Sequence, residues 1–397
     1  MLETFEVPSF SEAQLSDLHY RLDHAIYPQE LTTPVGWDYG TPCKDLEPLA
    51  KEWRHSYDWE SARAEMNQWA HYKLTTQQGM KIHFIHEPSK QPNAIPLLLL
   101  HGWPSTFYEF HKVIAPLRDG ASNGQAYHVV VPSLPGYGFS DPPTTPGCGP
   151  AQMVAHGTDW GSMIVRHLVT RYSQHCAAIH CTMFVCPPPM PTLKNIAQHP
   201  VAVTKFLLGA TLLGFDQVYG QGKFRMKGRN FADIINDHEA GYRAIQGTRP
   251  YSLSYGLSDS PVGLLGWMLE KYHNWTYHPD TSANALPPTV TSTELLTQVS
   301  LYWLTNTMSS SMRLYYEFFH QMDEYEKNPE PYIQNPVAVS LFADEVLRVP
   351  KEWIELAGNL ISFHEHPVGG HFAGLEEESL LVSDLQLFGK KVAYLFK

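Results

Sequence analysis

The sequence predicts an α/β architecture: a mainly parallel sheet flanked by helices and carrying a helical insertion. Two apolar runs, Ile95 to Leu100 and Tyr127 to Val131, each end in a Gly/Pro-rich loop. Parallel strands buried on both faces read as continuous apolar runs, and an open α/β sheet places its active site in the loops beyond their ends. A third apolar piece, Met153-Val154-Ala155, leads into Gly157-Thr158-Asp159-Trp160-Gly161-Ser162 and then a helix-like stretch, Met163 to Tyr172. The order strand, helix, insertion, strand, strand, helix completes the pattern.

Taken along the chain, residues 1 to about 80 read as helices and loops. Ser11 is placed to cap a helix over Glu12 to Leu22. Trp53, Tyr57, Trp59 and Trp69 supply aromatic mass without strand alternation, whereas Met80 to His86 alternates and reads as a strand. From about Pro187 to Thr305 the chain is loop-rich with helical segments. Its most apolar run, Val201 to Phe215, is too short to span a bilayer and reads as a buried helix. Val337 to Phe342 and Leu360 to Phe363 are two further strands, and a helix over Glu376 to Leu395 closes the chain. The expected division is a wrapping segment at 1–80, a core at 81–186, a lid at 187–320 and the rest of the core at 321–397.

Composition narrows the function classes. The 397 residues are 43% hydrophobic, enough for a sizeable core and incompatible with general disorder. With 28 basic and 40 acidic residues the net charge is −12, and no basic run is present. Such a chain is poorly suited to nucleic acid or an anionic membrane surface. The 31 prolines and 27 glycines imply many fixed turns. Five cysteines without paired CxxC spacing read as reduced thiols and not as a zinc site. The first residues lack the basic and apolar regions of a secretory signal, so a cytoplasmic location is expected.

The chemistry concentrates at Gly157-Thr158-Asp159-Trp160-Gly161, a small-x-nucleophile-x-small pattern. Small flanks permit a sharp strand-to-helix turn that lifts one side chain clear of the sheet. Here that side chain is Asp159. A carboxylate is ionised at neutral pH and attacks an electrophilic carbon without a base. The resulting ester must then be opened by water, which calls for a base and an oxyanion hole. His371, in Gly369-Gly370-His371-Phe372 after the last strand, is the base candidate. Asp344 and Glu345, after Phe342, are candidates for the acid that orients it. The backbone N–H groups of Trp103, in His101-Gly102-Trp103-Pro104, and of Trp160 are candidate oxyanion donors, and their indoles can line an apolar pocket. A metal site from His364, His366 and His371 is weakly supported, because no carboxylate-rich surround is evident. Gly120-Ala121-Ser122-Asn123-Gly124 matches the serine-hydrolase pentapeptide but has no strand leading into it, so it reads as a chance match in a turn.

These residues resemble the microsomal-type epoxide hydrolases, and most closely their soluble fungal-like branch. The resemblance covers nearly the whole chain. It begins with Phe5-Glu6-Val7-Pro8 and Trp53-Arg54-His55-Ser56-Tyr57-Asp58-Trp59, and continues through His101-Gly102-Trp103-Pro104 and Asp159-Trp160-Gly161-Ser162. It ends with Asp259-Ser260-Pro261-Val262-Gly263-Leu264-Leu265 and Gly369-Gly370-His371-Phe372-Ala373. It implies an α/β-hydrolase fold with a lid, with Asp159 as nucleophile and His371 as base. The family acid stands eight residues before a tryptophan, which with Trp353 selects Glu345 over Asp344. Two lid tyrosines donate to the epoxide oxygen in the family. They match Tyr242 and Tyr315, with Tyr316 the neighbouring register for the second. No metal or organic cofactor is implied, the partners are a small apolar epoxide and water, and a homodimer is compatible with it.

Two departures from the family pattern stand out. Ser105 replaces a glycine after His-Gly-Trp-Pro. Between Pro143 and Asp159 the family carries a full helix and a complete strand, where this chain has a short stretch containing Pro146, Gly147, Gly149 and Pro150. Parallel crossovers need a dozen or more residues and usually a helix. The expectation is therefore an epoxide hydrolase, with a haloalkane dehalogenase-like hydrolase and a catalytically impaired scaffold as alternatives.

Overall fold

The computed structural model describes residues 2–33, 35–121, 124–143, 153–223, 225–226, 240–279, 284–321 and 330–396. Its strands are β1 (Leu2–Phe5), β2 (His71–Thr75), β3 (Lys81–Glu87), β4 (Ile95–Leu100), β5 (Tyr127–Pro132), β6 (Met153–Gly157), β7 (Cys176–Cys181), β8 (Arg225–Met226), β9 (Ile333–Leu341), β10 (Leu347–Arg348) and β11 (Gly358–Glu365). All but β8 and β10 form one sheet, in the order β1-β2-β3-β5-β4-β6-β7-β9-β11. From β5 to β11 every pairing is parallel, and β1, β2 and β3 extend one edge antiparallel.

The apolar run of β4 shows why the sheet is buried on both sides. Leu97 and Leu99 join a cluster with Val129 and Phe388, while Leu98 and Leu100 join another with Ala155 and Ile179. Alternation is lost because neither face meets water. The second cluster also holds Trp103, Trp160 and the insertion helices Pro261–Asn274, Ser292–Thr305 and Met308–His320, so the core is continuous with the roof of the site.

Three readings need correction. Residues 1 to 80 are not helix and loop alone, because β1 and β2 belong to the sheet. Leu2-Glu3-Thr4-Phe5 is too short to show a period. It is a strand because it pairs with His71–Leu74 and because Phe5 packs on His83 and Phe139, at 5.1 and 5.0 Å. Strand β7 carries Cys-Ala-Ala-Ile-His-Cys, a sequence with little strand propensity that is held between β6 and β9. The Val201–Phe215 run is helical but not buried. Val201 and Leu212 are 70% and 76% exposed, and Val203 and Gly209 alone in the helix Pro200–Leu208 and its π-helical extension Gly209–Leu213 are buried.

The N-terminal segment ties down the insertion. Ser11 forms a capping box for the helix Glu12–Asp23. The helix Cys43–His55 buries Leu46, Leu49, Ala50 and Trp53. Its surroundings reach the insertion helices through Thr41 Oγ1 to the Gly266 carbonyl at 2.8 Å, Tyr57 Oη to Thr297 Oγ1 at 3.1 Å and Ser292 Oγ to Glu52 Oε1 at 2.6 Å.

The short crossover falls at residues 144–152, outside the described residues. The strand it feeds is formed: β6 pairs with β4 from Val154 to Gly157 and with β7 over the same residues. Ser122 and Asn123 of the serine-like pentapeptide also lie outside the described residues. Gly120 ends the helix Ile114–Asp119 with φ 69°, so the pentapeptide opens as a helix cap. Cys43, Cys176 and Cys181 are free thiols. Among the described residues no helix is long and apolar enough to cross a membrane.

Candidate active site

The site starts where β6 ends. Asp159 opens the helix Asp159–Arg171 with φ 46°, a left-handed conformation that a non-glycine residue adopts only where its surroundings enforce it. The enforcement comes from its small neighbours. A Cβ on Gly157 would sit 2.2 Å from the Gly161 backbone, and one on Gly161 would sit 2.1 Å from the Leu100 carbonyl oxygen. The strand, turn and helix therefore pack backbone to backbone, and the helix starts four residues earlier than apolarity alone suggests. Asp159 is thrust out above the ends of β4 and β6.

The loop after β4 meets it. The Trp103 N–H donates to Asp159 Oδ1 at 2.8 Å. A Cβ on Gly102 would overlap that carboxylate at 2.2 Å, so the close approach requires glycine. Among the described contacts it is the Trp103 amide, and not the Trp160 amide, that bonds the carboxylate. Both indole Nε1 groups are buried with no hydrogen-bond partner.

The loop after β11 supplies His371. Gly369 has φ 78°, and the His371 N–H donates to the Trp275 carbonyl at 2.7 Å. The ring is buried, with Nε2 3.5 Å from Asp159 Oδ2 and Nδ1 2.5 Å from Glu345 Oε1. Glu345 is fully buried and also accepts from the Val346 N–H at 2.7 Å. Asp344 instead gives its backbone N–H to the Gly369 carbonyl at 2.9 Å. Burial by itself would lower the His371 pKa, but the Glu345 and Asp159 carboxylates outweigh it and hold the imidazole well above its ordinary value. The resting site thus carries an imidazolium clamped between two carboxylates.

The insertion roofs this group. Tyr242, on the helix Ala240–Thr248, stacks on Trp103 at 5.3 Å and 7°. Tyr315, on Met308–His320, is buried and stands edge-on to Trp103 at 5.7 Å and to Trp160 at 4.8 Å. The two phenol rings are 5.7 Å apart. Tyr316 is 37% exposed and turns away, so the helix brings the first of the two adjacent tyrosines to the site. Burial raises the Tyr315 phenol well above its ordinary value, which keeps it a proton donor.

A narrow recess is lined by Gly102, Trp103, Ser105, Glu109, Thr158, Asp159, His371 and Phe372. Glu109 escapes the sequence reading. Its signal is a lone carboxylate within Phe107-Tyr108-Glu109-Phe110, where every neighbour is buried. The three-histidine metal grouping does not assemble. His364 and His366 both bond Asp384 instead, His366 at 2.7 Å, and no metal-ligating cluster occurs among the described residues.

A carboxylate on a sharp strand-to-helix turn, beside a histidine and acid from the last two strand ends, defines an α/β-hydrolase with an aspartate in the nucleophile position. The family models agree: the epoxide hydrolase N terminus matches residues 2–110 and the alpha/beta hydrolase fold matches residues 95–156. A relative from Stigmatella aurantiaca is 34% identical, covering 94% of this chain and 82% of its own. Epoxide hydrolase 1 of Sus scrofa is 32% identical over 95% of this chain and 86% of its own. The juvenile hormone epoxide hydrolase of Bombyx mori superposes with a TM-score of 0.85 at 26% identity, covering 100% of this chain and 96% of its own. The chain belongs to the epoxide hydrolase family, and it is an epoxide-opening enzyme.

Proposed function

We propose that the enzyme opens apolar epoxides to vicinal diols through an ester on Asp159. The observation that carries this reading is the division of labour on one carboxylate. Oδ1 is held by the Trp103 amide, and Oδ2 faces His371. Oδ2 attacks a ring carbon while the Tyr242 and Tyr315 phenols stabilise the developing alkoxide and one gives it a proton. Oδ1 then becomes the ester carbonyl oxygen, with an N–H donor already aimed at it.

Esterification also prepares the base. It removes the Asp159 charge that supports the His371 proton, so the imidazole gives that proton up more readily. Glu345 keeps the ring oriented. His371 then takes a proton from water as the water attacks the ester carbon. The Trp103 and Tyr242 faces supply an apolar wall suited to an aromatic or aliphatic epoxide.

The same reading divides the chain into the wrapping segment 1–80, core 81–186 and 321–397, and lid 187–320, and places the enzyme in the cytoplasm in detoxification or aromatic hydrocarbon catabolism. A homodimer is compatible with it. The test is a single turnover of styrene oxide in heavy-oxygen water. Label retained on Asp159, with unlabelled diol, is expected. Label appearing directly in the first diol would end the ester mechanism.

A further inference from the structure

We infer that Glu109 is a further catalytic residue, one that holds the water which opens the Asp159 ester. The inference rests on the ester reading above. Three buried polar atoms of the residues that line the site make no hydrogen bond: the donor Trp103 Nε1, the acceptor Glu109 Oε1, and His371 Nε2, whose Asp159 neighbour stands at 3.5 Å. A buried atom of this kind is costly to leave unpaired. Glu109 and His371 line the same narrow recess as Asp159, so a water admitted there as the ester forms meets both. One is an acceptor, and the other becomes one when it gives up its proton. A water between them donates one hydrogen to each and turns a lone pair on the Asp159 carboxyl carbon.

A second buried carboxylate nearby shows what a purely structural role looks like. Glu376 accepts the Tyr277 N–H at 2.7 Å and the Phe372 N–H at 3.1 Å, one on each oxygen. Both of its oxygens hold backbone. Glu109 has no such backbone to hold with Oε1.

Burial and the neighbouring polar groups pull on the Glu109 carboxyl in opposite directions. Burial pushes its carboxyl up to about 7, and the Asp159 charge pushes the same way, while the Ser105 and Thr158 hydroxyls and His371 oppose it. Tyr272, whose hydroxyl is also buried without a partner, faces it from the helix Pro261–Asn274. Ser105, where the family pattern has glycine, contributes one of the hydroxyls that favour the ionised form.

The step balances. The water oxygen bonds to the ester carbon, and one of its protons moves to His371 Nε2. The tetrahedral intermediate expels the diol oxygen, which takes that proton. The second hydrogen remains on the oxygen now belonging to Asp159, directed at Glu109 Oε1. It leaves as the acid ionises and returns to His371, restoring the imidazolium, whose own proton, given up after ester formation, has already replaced the one the phenol gave to the epoxide.

Rapid mixing with styrene oxide, acid quench and intact-protein mass spectrometry follow ester formation and ester decay separately. In Glu109→Met, near in size but without the acceptor, formation stays within a few-fold while decay slows about 100-fold, the scale of a misplaced reactant. Glu109→Gln, which keeps an acceptor oxygen, recovers part of the loss. Glu109→Ala is read in the same way and covers a Met variant that does not fold. Ester decay at the wild-type rate, or equal slowing of formation and decay, overturns the role of Glu109. Absence of any ester on Asp159 in the wild type overturns the ester reading itself.

Discussion

Two histidine–carboxylate clusters lie along the same sheet, and they behave in opposite ways. One is the site at the strand ends: Asp159, His371 and Glu345. The other runs sideways through the sheet. His156 bonds His180 at 2.9 Å, His180 bonds Ser340 at 3.0 Å, and Ser340 donates to Asp384 Oδ2 at 2.5 Å. Asp384 then joins His366 and His364. Burial drives His156 down to about 4 and His180 well below its ordinary value, with neighbouring imidazoles adding to the effect on His180. The same burial acts on His371, yet its two carboxylate neighbours hold it well above. The clusters share residue types and depth. They differ in whether spare polar atoms open into a cavity: none of the ladder residues lines the one around Asp159. Clustering of His and Asp is thus a weak sign of chemistry, and unspent polar atoms beside open space are a better one.

The largest expected effect is at the nucleophile. Asp159→Ala lowers diol formation by about 10⁴-fold or more, because no other group attacks the carbon. Steady-state turnover of styrene oxide measures it, and a rate equal to wild type contradicts the assignment. His371→Gln slows turnover by about 10²–10⁴-fold and leaves a protein whose mass is increased by one substrate. An inactive variant with no added mass would place His371 before ester formation instead.

Next come the phenols. Tyr242→Phe and Tyr315→Phe each slow ester formation by about 10²–10³-fold, the cost of losing one aimed donor. Tyr316→Phe, at an exposed position, changes it less than about 2-fold. Similar losses at Tyr315 and Tyr316 would show that the helix presents a different face in turnover.

The ladder predicts a smaller effect, on stability alone. The His156 and His180 imidazoles are neutral when folded, with pKa values lowered by burial, so the unfolded chain binds more protons between about pH 4 and 6.5. Their contribution is complete above about pH 6.5 and is lost as the pH falls toward 4. The melting temperature drops on acidification from about pH 7 to 5, and His156→Gln makes that slope shallower without altering the pH profile of ester decay. At the exposed end, His364→Gln costs about 1 kcal/mol, the value of one hydrogen bond. Chemical denaturation checks it, and a change in turnover would tie the ladder to catalysis.

Legibility followed the range of the forces involved. Strands β3, β4, β5, β9 and β11 were visible as alternation or as apolar runs. β1, β2 and β7 were not, because it is pairing with their neighbours in the sheet that makes them strands. The Val201–Phe215 run misled for the same reason. Its apolarity is local, whereas its exposure depends on what the fold lays against it. Asp159, His371 and the paired glycines stood out because a sharp turn restricts residue type locally. Glu109 had only a faint local signal, a lone carboxylate among aromatic neighbours.

The sequence by itself determined the α/β class, the nucleophile turn and the loop that carries His371, since steric rules at Gly157, Gly161 and Gly102 act between near neighbours and a few backbone atoms. The family spacing already pointed to Glu345 and Tyr315; the tertiary structure brings Glu345 to the imidazole and turns Tyr316 away, and it alone decided that Glu109 faces the site. That last placement is a choice of direction made by packing of Glu109 against the loop that carries His371, 262 residues further on, and no local pattern encodes it.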